Sequence, residues 1–328
     1  DWGLYAAIKE ANDGRPWFEW PAPLRDRDPE ALAAHRSRAA HHIKEQQQVQ
    51  HAWNQLLEEA RAKGVSLIGD VPMFVSHDSA DVWAHRSLFQ LNEEGMPEVV
   101  AGVPPDYFSE GGQKWGTVLY DWAAHRSENW RWWKERMKRM LRLFDVVRID
   151  HFRGIHSNWA VPFNDEDARL GAWQEGPAEE LLEAILGVVD GPHRVVAEDL
   201  GIIPPEVIDL RRRFKLPGMA VLHFGFDGEK TNPHHPSTIS SDQVVYTGTH
   251  DNNTTRGWWE AQNEATQARV KALLEPDEDP VSGLIRLSIE SPAMLTILPL
   301  LTPDSIGIIG LAGMALSLIL YTSPSQRD

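Results

Sequence analysis

Residues 144–154 read FDVVRIDHFRG, from Phe144 to Gly154. Val146, Val147 and Ile149 are β-branched and favour a strand, and the charges, histidine and glycine that follow close the run. On a strand, side chains two apart share a face, so Arg148 and Asp150 point the same way at its end.

The neighbouring sequence repeats this pattern. Residues 127–143 predict a basic amphipathic helix before the strand. Residues 29–63, rich in Ala, Leu, Glu, Gln and Arg and stopping before Gly64, predict a helix leading into GVSLIGD. Helices over 177–187, 204–214 and 255–274 alternate with RVVAED, MAVLHFGFD and VVYTGTHD, and MLTILPLL reads as a final strand. Six alternations of helix and short apolar strand predict an α/β fold with a parallel sheet wrapped by helices. The preferred form is a (β/α)8 TIM barrel; a doubly wound open sheet is the alternative.

Five runs end in an acid: Asp70, Asp150, Glu198 or Asp199, Asp227 and Asp251. A barrel gathers such residues at the carboxyl ends of its strands, where its active site lies. Any one of these acids could equally cap a helix or shape a turn; five at one topological position favour a carboxylate-lined pocket. A long insertion at about 76–122 contains VVAGVPPDYFSEGGQKWG and reads as a lid.

Composition narrows the partners. The net charge of −16 over 328 residues disfavours nucleic acid and acidic membranes and suits a neutral substrate. Absence of cysteine excludes disulfides, thiolate zinc sites and cysteine nucleophiles, and fits a cytoplasmic location. Several of the 14 tryptophans, including Trp83, Trp115, Trp122, Trp258 and Trp259, fall in segments that read as loops. There they would stack on flat ligands or sugars, or be partly buried. The uncharged run IGIIGLAGMALSLIL is shorter than the roughly 20 residues a membrane span needs, so no membrane role is expected. His41-His42 and His234-His235 lack partners at metal-ligand spacing, and HExxH, Walker and GxSxG motifs are absent. No metal or cofactor is expected, which leaves carboxylates to carry the chemistry.

Retaining glycoside cleavage needs a carboxylate nucleophile and a carboxylic acid, with environments that drive their protonation apart. A guanidinium beside Asp150 favours the ionised form that a nucleophile requires; a structural ion pair is the plain alternative. Glu198, after an apolar run with less charge compensation, reads as general acid and then base. Asp251 with His250 would hold hydroxyls of a distorted sugar.

The blocks GDVPMFVSHDSADVW, AGVPPDYFSEGGQKWG, VVRIDHFRG, VVAEDLG, LPGMAVLHFGFD and YTGTHDN resemble, in order, those of the 4-alpha-glucanotransferases, the amylomaltase or disproportionating enzymes of the α-amylase superfamily. The resemblance runs over about residues 8–300. It implies a (β/α)8 barrel that moves α-1,4-glucan segments between maltooligosaccharides without cofactor or metal. By motif, Asp150 would be the glucosylated nucleophile, Glu198 the acid/base and Asp251 the transition-state stabiliser. Asp70, Arg148 and His250 would contact the sugar at the cleavage point, and Tyr107, Phe108 and Trp115 would lie in the lid. Asp227 reads as structural.

Departures accompany the likeness. The first two barrel strands have no counterpart, Thr117-Val118 replaces an expected Asn-Pro, and Asn253 replaces an expected Asp. The expected organisation is therefore an incomplete barrel over 1–300 and a divergent apolar tail over 301–328, suggestive of a reading-frame shift or truncated gene. Open sheet edges would make such a chain poorly stable. An α-glucan hydrolase and an inactive remnant that binds glucan weakly are the alternative functions; the oligomeric state is left open.

Overall fold

The computed structural model describes residues 1–105 and 109–299, with backbone alone at 192 and 317–320. Tyr107, Phe108 and most of the 301–328 tail lie outside the described residues. The chain divides into two compact units, Asp1–Val195 and Val196–Asp328.

In the first unit, helix Trp2–Ala11 buries Tyr5, Ala7 and Ile8 and lies against the long helix Arg36–Ala62. Gly3 permits the close approach, since a Cβ there would fall 2.7 Å from Ile43. The long helix stops at Gly64, whose φ of +73° suits glycine and few other residues. The chain then enters strand β1 (Ile68–Pro72) and the short β2 (Val75–Ser76). Strands β3 (Val99–Val103) and β4 (Gln113–Val118) follow. Helix Arg131–Leu143, with Trp133 and Met137 buried on one face, leads into β5 (Val146–Asp150). Strands β6 (Ser157–Pro162) and β7 (Ala172–Glu175) come next.

Strands β1 and β5 pair in parallel, from Ile68 opposite Val146 to Pro72 opposite Asp150. Valines and isoleucines at 71, 147 and 149 are fully buried there. Gly69 lies beneath Phe144, where a Cβ would meet the ring at 2.1 Å. The remaining strands form an antiparallel sheet in the order β2-β4-β3-β6-β7. The segment 76–122 thus contains β3 and β4 and a short helix, Ala80–Ala84.

Strand β8 (Val195–Ala197) begins at the unit boundary. In the second unit, β9 (Gly218–Val221), β10 (Gln243–Tyr246) and β11 (Leu295–Pro299) run parallel to one another. The backbone of β12 (Ser317–Leu320) pairs antiparallel with β11. Helices Pro205–Arg213, Thr255–Glu260, Glu264–Lys271 and Pro280–Glu290 connect these strands. A core of Ala220, Leu222, Phe226, Val245, Trp259, Val270 and Leu284 joins helices to sheet.

All six strands read from sequence are present. The helix expected over 255–274 is two helices, because Asn263 accepts from Thr266 N–H and starts a new one. The tryptophans read as loop residues belong to regular elements. Trp83 is fully buried in its helix, Trp258 and Trp259 lie in Thr255–Glu260, and Trp122 opens Trp122–Ser127. Trp115 lies on β4 and is 38% exposed.

Candidate active site

The register of β1 and β5 brings Asp70 directly opposite Arg148. Arg148 Nε donates to Asp70 Oδ1 at 2.9 Å, and Nη2 donates to Asp70 Oδ2 at 2.5 Å. Nη2 also reaches Asp150 Oδ1 at 3.2 Å. The guanidinium side chain is 9% exposed, while Asp70 and Asp150 are 42% and 44% exposed. A planar cation is thus buried behind two carboxylates that meet solvent. Its fork fits a carboxylate in bidentate fashion, and it keeps its charge across the physiological range. The structure therefore unites three of the expected residues, with two of these hydrogen bonds going to Asp70 and one to Asp150.

After Asp150 the chain turns sharply: His151 adopts φ 52°, in the left-handed region. Burial, aided by the charge of Arg153, pushes its imidazole down to about 4, so it is neutral near pH 7. Its ring stands edge-on to Trp115 with centroids 4.9 Å apart, and Phe74 lies 6.1 Å from His151 and 6.2 Å from Trp115. The residue after Asp150 thus belongs to an aromatic trio. His151 and Phe74 stood inside the quoted motifs but were not singled out; the histidine beside the aspartate was the available signal.

In the second unit, Glu198 follows the buried strand β8 and its Oε1 accepts from Leu200 N–H at 2.8 Å. The adjacent Asp199 has a different part. Its Oδ1 accepts from Met219 N–H at 2.7 Å and its Oδ2 pairs with Arg211 Nε at 3.0 Å. Burial pushes the Asp199 carboxyl up, against the pull of Arg211. Asp199 therefore ties β8 to β9 and the Pro205–Arg213 helix, which separates the two acids that sequence treated together.

His250 and Asp251 lie on the loop after β10, with Nε2 and Oδ1 3.4 Å apart and side chains 50% and 74% exposed. Asn252, which the sequence reading passed over, builds that turn. Its Oδ1 accepts from Thr249 N–H at 2.8 Å and Thr249 Oγ1–H at 3.0 Å. Thr249 Oγ1 accepts in turn from Asp251 N–H. Behind the turn, His223 stacks on Trp258 at 4.6 Å, and a Cβ on Gly248 would fall 2.5 Å from the His223 ring. Asp227 accepts from Glu229 N–H at 2.9 Å and shapes a turn well beyond the end of β9.

Tyr107 and Phe108, expected in the lid, lie outside the described residues. Among the described residues no group of three His, Asp or Glu side chains could hold a metal. Nor is any described helix long and apolar enough to cross a membrane.

A family model described as 4-alpha-glucanotransferase matches residues 1–303. The chain belongs to the 4-alpha-glucanotransferase family. The chloroplastic/amyloplastic 4-alpha-glucanotransferase of Solanum tuberosum is 43% identical over 306 residues, covering 92% of this chain and 53% of that protein. The 4-alpha-glucanotransferase of Thermus thermophilus is 45% identical over 312 residues, covering 91% of this chain and 62% of that one. The chain thus spans about half the length of the plant relative. Among solved structures, the amylomaltase from Streptococcus agalactiae in complex with acarbose matches with a TM-score of 0.85 at 32% identity, covering 90% of this chain and 61% of that one. This likeness and the alternation of helices with parallel strands make the fold of this 4-alpha-glucanotransferase family member a partial (β/α)8 barrel, the preferred of the two sequence-based forms.

Proposed function

We propose that this chain carries the acidic chemistry of a 4-alpha-glucanotransferase, moving α-1,4-glucan segments between maltooligosaccharides by double displacement. The observation that carries the proposal is the Asp70–Arg148–Asp150 group on two parallel strands, with Asp150 at the carboxyl end of β5, in a member of this family. Asp150 attacks the anomeric carbon while Glu198 protonates the departing glycosidic oxygen, leaving a glucosyl ester on Asp150. Glu198, now ionised, removes a proton from the acceptor hydroxyl, which attacks and releases Asp150. Asp251 stabilises the oxocarbenium-like transition state. Asp70, Arg148 and His250 hold sugar hydroxyls, and Trp115 with Tyr107 and Phe108 forms the water-excluding lid of the 76–122 insertion. No cofactor or metal enters the scheme. A cytoplasmic location goes with it for this chain, whereas the potato relative is named chloroplastic/amyloplastic.

The domain reading belongs to the same proposal, with a catalytic barrel over 1–300 and a tail over 301–328. Incubation with maltotriose is the test. Glucose plus oligomers longer than maltotriose supports transfer. Glucose and maltose alone means an α-glucan hydrolase, and unchanged maltotriose means an inactive remnant.

A further inference from the structure

Away from the carboxylates, the β6–β7 edge of the first unit carries two tryptophans in direct register, Trp159 opposite Trp173. Their rings meet at 5.1 Å and 63°. Trp159 is fixed in place: its Nε1 donates to Ala168 O at 2.8 Å. Residue 171 must be glycine for the indole to lie where it does, because a Cβ there would fall 2.2 Å from Trp159 Nε1. Beneath it sits a small core of Val100, Val161 and Ala168. Trp173 forms the outer part. It remains 45% exposed, and the Arg153 guanidinium packs over its ring at 3.9 Å. Arg153 lies three residues past Asp150, so the turn that leaves the acidic site also braces this aromatic pair.

An indole this exposed, held by an arginine and a second indole, is preorganised at little entropic cost. A stable protein interface buries about 800 Å² on each partner, and two indoles offer only a fraction of that. The apolar C–H face of one or two pyranose rings matches the patch in size, and the Arg153 guanidinium against Trp173 suits sugar hydroxyls.

We propose that Trp159 and Trp173 form an accessory platform on which an α-glucan chain stacks, separate from the residues assigned to bond cleavage. The choice of glucan rests on the proposed function; the geometry of the platform does not. The test uses the full chain carrying Asp150→Asn, so that glucan is not turned over, and measures retardation in native gels containing soluble amylose. Trp173→Met keeps an apolar side chain opposite Trp159 but lacks a ring face; Trp173→Phe keeps a smaller one. Methionine is expected to weaken amylose binding about fivefold, phenylalanine by clearly less, with both variants melting near the parent. Equal binding by parent and Met variant, or equal loss in the Met and Phe variants, overturns the platform. So does a fall in sedimentation mass on Trp173→Met, which would make the patch a contact between copies. Maltotriose transfer by the unmutated chain is read in parallel. Transfer with Trp173-independent amylose binding defeats the platform alone, and Trp173-dependent binding without transfer defeats the proposed function alone.

Discussion

Arg148 holds Asp70 through Nε and Nη2 and reaches Asp150 through Nη2 alone, although Asp150 is two residues along the same strand and Asp70 is 78 residues away. The parallel register of β1 and β5 creates this preference, because it sets Asp70 level with Arg148 and Pro72 level with Asp150. Asp70 is thus the anchor of the arginine, and Asp150 stays the carboxylate with less of it.

Removing the anchor should therefore cost more stability than removing the proposed nucleophile. Loss of a partner leaves a nearly buried guanidinium incompletely paired, and because both aspartates are more than a third exposed the cost is well below that of a fully buried pair. Asp70→Ala is expected to destabilise by about 1–2 kcal/mol and Asp150→Ala by less than ~1 kcal/mol. Urea unfolding of both variants checks the order; a larger loss for Asp150→Ala contradicts the anchoring role.

Arg148→Lys keeps the charge but replaces a planar fork with a point charge that cannot serve both carboxylates at these angles. Transfer from maltotriose is expected to fall at least about a hundredfold, roughly 2.7 kcal/mol of transition-state stabilisation. The circular dichroism spectrum should be retained. Near-normal activity would show that charge alone suffices.

Much of the scaffold was legible because each parallel strand is a short apolar run, rich in β-branched residues and bounded by charge or glycine, as in VVRID. The antiparallel sheet was not. Its strand β4, QKWGTV, shows no apolar alternation and packs little core, so it reads as part of an insertion, and the four-residue β7, AWQE, carries no strand signal. The candidate site divides in the same way. Arg148 and Asp150 are visible from spacing, but the pairing of Arg148 with Asp70 exists only through strand register. The separate parts of Glu198 and Asp199 likewise depend on Met219 and Arg211, distant in sequence.

The Thr249–Asn252 turn depends on the absence of a side chain at Gly248. Gly248→Ala would push a methyl group into His223, which is held flat against Trp258. Overpacking of this kind costs about 1–3 kcal/mol. Because His250 and Asp251 follow immediately, activity should fall more steeply than stability. An alanine variant with unchanged unfolding and activity would show that the turn tolerates the shift.

Buried imidazoles set the acid limit. His125 in the first unit and His223 in the second are buried, and burial pushes each from its ordinary value down to about 4. The unfolded rings take up protons below about 6.5 and the folded rings resist until about 4. Stability is therefore complete above pH 6.5 and lost as the pH falls through that window. At pH 5 each histidine is expected to cost its unit about 2 kcal/mol relative to pH 7. Urea midpoints at the two pH values check this, and equal midpoints would contradict burial of neutral rings.

The account turns on Asp150 becoming covalently glucosylated, and trapping that ester tests it most directly. A Glu198→Gln variant given an α-maltosyl fluoride, whose fluoride departs without a proton donor, should form the ester and then stall for want of a base. Mass spectrometry of the digest is expected to find the maltosyl adduct on the peptide containing Asp150. An adduct on another residue, or none while the unmutated chain transfers from maltotriose, would contradict the account.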